Sequence, residues 1–136
     1  MVSISLTYDG ELRCTSTHGP SQSVLATDAP RDNMGKGEAF SPTDLVATAL
    51  GTCIATTMAI VAQRKGLELK GLHAAVEKHM TTEAPRRIAR IVCRISVPLT
   101  PDHPDRAVLE AAGLGCPVAR SLHPDVEKEI TFTYRE

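Results

Sequence analysis

Aromatic residues are scarce in this chain, with two Phe, two Tyr and no Trp among 136 residues. A core without large rings must be assembled from Ala, Val, Leu and Ile. These pack closely but each buries little area, so a lone domain of this kind is only modestly stable, and dimerisation is a common remedy. The four cysteines, Cys14, Cys53, Cys93 and Cys116, form no C-x-x-C or C-x-x-H pair, and the five histidines are scattered. That spacing argues against a metal centre. Charge of either sign is not in excess, because fifteen Lys/Arg face sixteen Asp/Glu for a net charge of −1. A nucleic-acid partner calls for a basic stripe with stacking aromatics, which is missing here. No phosphate-cradling loop follows a strand, since Gly35-Lys36-Gly37 lacks both spacing and context. The opening MVSISLTYDG has no basic-then-apolar signal pattern. The longest apolar stretch is interrupted by Thr52, Thr56 and Thr57, so no membrane span is expected. These absences describe a cytoplasmic protein with no membrane association, in which any disulfide would be transient.

What is present reads as one α+β domain over residues 1–136. Hydrophobic residues make up 42% of the chain, enough for a packed core. Val2, Ile4, Leu6 and Tyr8 alternate with polar residues, which predicts a half-buried strand, and Asp9-Gly10 signals a hairpin. Strands are also expected over 11–16 and 23–27, followed by an irregular stretch over 28–40 rich in Gly, Pro, Asp and Asn. Ser41 as N-cap, Pro42 at the first helical position and Asp44 in a capping box open a long helix that runs to Arg64-Lys65 and stops at Gly66. Its apolar residues cover nearly every face, the pattern of a buried helix that a second subunit could help to cover. Strands over 69–80 (broken by Gly71) and 88–97, short helices over 105–114 and 117–122, and a final strand over 126–134 complete the reading.

Two cysteines stand out. Cys53 lies near the middle of the long helix, where burial raises a thiol pKa and a cation brought from elsewhere would be needed to activate it. Thr52, Thr56 and Thr57 beside it can bond back to helix carbonyls. Cys116 is the expected N-cap of a helix beginning at Pro117, where unpaired N–H groups and the dipole favour a thiolate. On the residues alone, Cys116 is the better thiolate candidate. Cys14 and Cys93 read as small buried hydrophobes.

The run Ser41-Pro42-Thr43-Asp44-Leu45 leading to Ala49-Leu50-Gly51-Thr52-Cys53 resembles the helix-opening motif of the OsmC/Ohr family. Ala111-Ala112 followed by Cys116-Pro117-Val118 resembles that family's second motif, and the order of elements suits it along nearly the whole chain. The resemblance implies an intertwined homodimer with long helices at its centre and no metal or organic cofactor. It implies that Cys53 attacks an organic hydroperoxide and becomes a sulfenic acid, that Cys116 condenses with it to a disulfide, and that a dithiol reductant, often lipoyl-linked, resets the pair. This reverses the ranking of the two thiols from helix geometry. In the peroxidase branches a Glu just after the motif's Pro holds an Arg beside the attacking thiol, whereas this chain has Thr43 there. Asp44 and Glu38 are the nearest substitutes. Arg31, in the glycine-bearing loop, is the first candidate for the arginine and Arg13 the second. The wording of the motifs is closer to the OsmC-like branch than to the Ohr branch. The competing reading is a non-enzymatic dimer that binds a small apolar or thiol ligand at its interface.

Overall fold

A computed structural model describes residues 1–136, which divide into two compact units, Met1–Val46 and Ala47–Glu136. The first unit is a three-stranded antiparallel meander in the order β1-β2-β3, with β1 at Ile4–Gly10, β2 at Arg13–His18 and β3 at Val24–Asp28. Asp9-Gly10 marks the hairpin but does not form its tip. Gly10 pairs with Arg13, and the two tip residues, Glu11 and Leu12, have φ of 53° and 64°. A two-residue loop needs positive φ at both positions to match the strand twist, even where the residues are not glycine. The alternating side of β1 departs from expectation. Ile4 and Leu6 are each 64% exposed and Tyr8 61%, and Leu25, in register with Leu6 through Ser16, is exposed beside them. The pattern did predict a strand, but its apolar side is bare in the single chain.

After a short 3-10 turn at Arg31–Asn33, helix α1 spans Pro42–Arg64. Its start is a reciprocal capping box. The Asp44 N–H donates to Ser41 Oγ (3.0 Å), while the Ser41 N–H donates to Asp44 Oδ2 (2.9 Å). Ser41 is 1% exposed, so its replacement strands a buried helix donor. Ser41→Ala is expected to lower stability by about 1 kcal/mol, read as a reduced urea midpoint at constant slope. At the far end the Leu67 N–H reaches the Ala62 carbonyl and the Gly66 N–H reaches that of Gln63, with Gly66 at φ 72°. This is the αL termination that the glycine predicts. By length and composition α1 is apolar enough to cross a bilayer despite its threonines, a property it shares with core helices of soluble proteins. Leu50, Ile54, Met58 and Ala62, four residues apart along one stripe, are fully buried. Other faces of α1 are partly open, Ile60 at 45%, so the helix is not enclosed on all sides as its composition suggested.

The second unit carries a three-stranded sheet in the order β4-β5-β6, with β4 at His73–Met80, β5 at Ile88–Val97 and β6 at Glu127–Tyr134. β4 pairs antiparallel and β6 parallel to the central β5. The strand expected from Leu69 starts only at His73. The Leu72 N–H bonds the Leu69 carbonyl in a turn, and Gly71 sits at φ 95°, outside the β region. The parallel return from β5 to β6 is made through α2 (Arg106–Leu114) and α3 (Pro117–Ser121). β5 is buried at Ile91, Val92, Cys93, Ile95 and Val97, while the outward Arg94 pairs with Glu77, and Arg90 with Glu129 at 2.7 Å. α1 approaches this sheet closely at Gly51, where an added Cβ would lie 2.7 Å from Val76 Cγ2.

Candidate functional site

Within the second unit the fold brings two of the residues singled out in the sequence, Cys53 and Cys116, together as free thiols. α1 carries Cys53 one residue before buried Ile54, and Cys116 caps α3. The N-terminus of α3 serves both sulfurs. The Ala119 N–H donates to Cys116 Sγ at 3.4 Å, and the Val118 N–H faces Cys53. Thr57 Oγ1 lies 3.9 Å from Cys53 Sγ. Thr52 follows the local reading instead, donating to the Thr48 carbonyl at 2.9 Å.

These dipoles set the ionisation order. Burial opposes the Cys53 thiolate, but the Val118 N–H, the Cys116 S–H and the Thr57 hydroxyl together bring its pKa below the ordinary thiol value. For Cys116, burial dominates and raises the pKa. The Ala119 N–H works against burial, and the neighbouring Cys53 reinforces it. The α3 N–H groups thus favour a thiolate, as their position predicts, but at Cys53 and not at the Cys116 expected from the sequence. Cys116 is fully buried and gives its proton as a hydrogen bond, while Cys53, only partly buried, receives the orphan N–H from across the gap.

Cys93 lies fully buried on β5, and burial, with a lesser contribution from Cys116, pushes its thiol up to about 11. Cys14 is half-buried on β2. In the folded protein at pH 8, iodoacetamide should therefore modify Cys53 first and leave Cys93 untouched, as counted by mass spectrometry of the digest. Early labelling of Cys93 would contradict the burial order.

The arginines of the first unit are held differently from one another. Arg31 donates through Nε to the Lys36 carbonyl of its own loop at 3.2 Å. Arg13 meets Glu38 Oε1 at 2.5 Å and Asp28 Oδ2 at 3.6 Å. Glu38, one of the two proposed substitutes for the absent Glu, thus holds an arginine, and it is Arg13. Asp44 is engaged in the helix cap instead. Asp28 escaped the sequence reading because it looked like an ordinary loop residue. It is 1% exposed, accepts the Glu38 N–H at 2.9 Å and lines a cavity of about 210 Å³ with Arg13, Thr27 and Glu38. That N–H bond, with help from Arg13 and against burial, keeps its carboxyl below the usual range.

A family model described as OsmC-like protein matches residues 35–131. The chain belongs to the OsmC family. A solved protein from Psychrobacter arcticus 273-4, named for osmotic stress induction and a detoxification response, is 38% identical to this OsmC-like chain. The alignment covers 98% of this chain and 96% of that one, with a TM-score of 0.91. More distant structures share the fold. An organic hydroperoxide resistance protein OsmC of Legionella pneumophila is 15% identical over 98% of this chain and 96% of its own, TM-score 0.77. A Vibrio cholerae protein of the hydroperoxide resistance type, with captopril bound in one of its active sites, is 15% identical over 97% and 90%, TM-score 0.76. No curated protein matches the chain. The α+β architecture, with N-terminal antiparallel strands and a central helix, is that of the family, and the facing thiols of this OsmC-like chain suit a redox role.

Proposed function

We propose that this protein reduces organic hydroperoxides through a Cys53/Cys116 cycle. The observation that carries the proposal is the asymmetry of the pair, one thiol lowered and partly accessible, the other raised, buried and aimed at the first. The Cys53 thiolate attacks the terminal oxygen of ROOH, the O–O bond breaks, and the alkoxide leaves as ROH after taking a proton. Cys53 becomes a sulfenic acid. Cys116 then attacks the Cys53 sulfur. Its thiol proton joins the departing hydroxide as water, and a disulfide forms. A dithiol reductant of the lipoyl type returns both thiols by exchange while itself becoming a disulfide. The residues need no metal or organic cofactor for these steps, and a reducing cytoplasm suits a pair that must be reset.

The chemistry also calls for a cation, and the first unit offers Arg31 and Arg13. Arg31 is the candidate from the sequence, and Arg13 is the one gripped by carboxylates. Single Arg31→Ala and Arg13→Ala variants discriminate them by which one slows peroxide consumption. The bare apolar row Ile4, Leu6 and Tyr8 supports a homodimer as the working form, which light scattering would read as twice the mass of the 14.6 kDa chain.

The test of the activity is direct. Pre-reduced protein should consume cumene hydroperoxide quickly and stoichiometrically, with loss of two thiols per chain. A rate no higher than that of a free-thiol blank removes the proposal. A second reading, binding of a small apolar or thiol ligand without turnover, draws on the captopril held by the Vibrio cholerae protein. It predicts ligand affinity that survives serine at both Cys53 and Cys116.

A further inference from the structure

Cys116 and Cys53 reach each other across the seat of α2 on α1, and that seat contains a glycine. A Cβ built at Gly113 would lie 3.0 Å from Ile54 Cγ2 and 3.1 Å from both Cγ and Sδ of Met58. Ile54 and Met58 are fully buried, and Ile54 directly follows Cys53. The glycine is helical, so no left-handed backbone demands it. Within a helix Gly costs about 1 kcal/mol relative to Ala, so contact, not conformation, accounts for its presence. From Gly113 the chain runs straight into the second thiol, since the Cys116 N–H bonds the Gly113 carbonyl at 3.3 Å and the Gly115 N–H that of Ala111 at 3.1 Å. The other end of α2 is clamped. Glu110 Oε2 accepts from Tyr134 Oη at 2.6 Å and from Arg106 Nε at 2.8 Å, and the Arg106 guanidinium lies 4.6 Å over the Tyr134 ring. With α2 fixed to β6 at that end, a push at Gly113 is not absorbed by sliding the whole helix. It moves the stretch that carries Cys116.

We propose that Gly113 is a positioning residue for disulfide formation: its missing side chain lets α2 sit on Ile54 and Met58 and so sets the distance from Cys116 to Cys53. The inference rests on the redox reading of that pair. A methyl at position 113 makes α2 give way by a few tenths of an ångström, away from α1 and with Cys116 on the moving part. Bond formation between two sulfurs is steeply sensitive to such a shift, and Cys53 itself, held by α1, is left in place.

The experiment uses the whole protein and glutathione as the redox probe. The reduced chain is equilibrated anaerobically with mixtures of glutathione and its disulfide, so that one protein dithiol plus one glutathione disulfide gives one protein disulfide plus two glutathiones. The readout is the effective concentration of the Cys53–Cys116 bond, with the rate of dimedone capture at Cys53 after hydroperoxide as a second measurement. Gly113→Ala should lower the effective concentration about tenfold and raise dimedone capture, because the Cys53 sulfenic acid waits longer for Cys116. Gly115→Ala is the neighbouring control. Its Cβ would meet the end of the Arg120 side chain at 3.3 Å and the Ala111 carbonyl oxygen at 3.4 Å, an ordinary contact, and it should behave as wild type. Ile54→Val deletes Cδ1 and so gives the retained Cγ2 room to yield, which keeps the test readable if Gly113→Ala folds poorly. Alanine at 113 should still lower the effective concentration in that background, by a smaller factor. Equal effective concentrations with glycine and alanine at 113 in both backgrounds overturn the inference. A wild-type protein that forms no Cys53–Cys116 bond at any glutathione ratio overturns the redox reading instead.

Discussion

Cys53→Ser should abolish peroxide consumption, while Cys116→Ser should still consume one equivalent and then stop. The first substitution removes the nucleophile, and a serine hydroxyl on a helix with no base beside it does not replace a thiolate. The rate should fall by roughly three orders of magnitude, toward that of adventitious thiol oxidation. The second removes only the resolving sulfur. Cys53 should then accumulate as sulfenic acid, seen as a dimedone adduct in mass spectra, with no turnover supported by a dithiol. Cys116→Ser also exchanges the S–H that faces Cys53 for an O–H, so the Cys53 pKa should move only modestly while the Val118 N–H is retained. If Cys116→Ser were the dead variant and Cys53→Ser retained the stoichiometric first reaction, the roles of the two thiols would be exchanged.

Stability should fall in alkali, and Cys93 should be a principal cause. Its thiol is pushed from an ordinary value of 9.0 to about 11 by burial first and by the neighbouring Cys116 second. A group whose folded pKa is raised gives stability that is complete below the unfolded value and disappears as pH rises through the folded one. Here the unfolded chain ionises near pH 9, and the folded chain resists until about 11. The difference of two pH units corresponds to about 3 kcal/mol lost across that window. Cys116 is raised as well and acts in the same direction. Cys53, being lowered, contributes the opposite dependence at lower pH, with stability gained as pH climbs through its folded value. Urea titrations of wild type and Cys93→Ala between pH 8 and 10.5 separate the effects. The variant should start less stable and lose less per pH unit. Parallel curves would mean that the Cys93 thiol ionises in the folded protein as freely as in the unfolded one.

Much of the architecture was legible in the residues because it depends on short-range rules. The capping box of Ser41 and Asp44, the glycine stop after α1, the full extent of β5 and the Cys116-Pro117 start of α3 all follow from groups within a few positions of each other. Errors arose where a local signal met a constraint from elsewhere. Asp9-Gly10 was displaced from the hairpin tip by the register of β1 on β2, and the strand expected from Leu69 begins only at His73, past the turn at Gly71. Asp28 gave no signal because its importance lies in burial against Arg13 and the Glu38 backbone, which a loop-like composition conceals.

The amino-acid sequence by itself determined most of the secondary structure through local spacing, its motifs resembled those of the family to which the chain belongs, and it singled out the two thiols that the fold brings together. Only the tertiary structure decided which thiol is lowered, which arginine is held by carboxylates and how little room position 113 has against Ile54 and Met58. Those properties belong to groups that covalent order leaves far apart. The Val118 N–H reaches Cys53 as well as its own cap because folding lays α3 against α1, and the electrostatics of a thiol are set by whatever dipoles lie within a few ångströms of it.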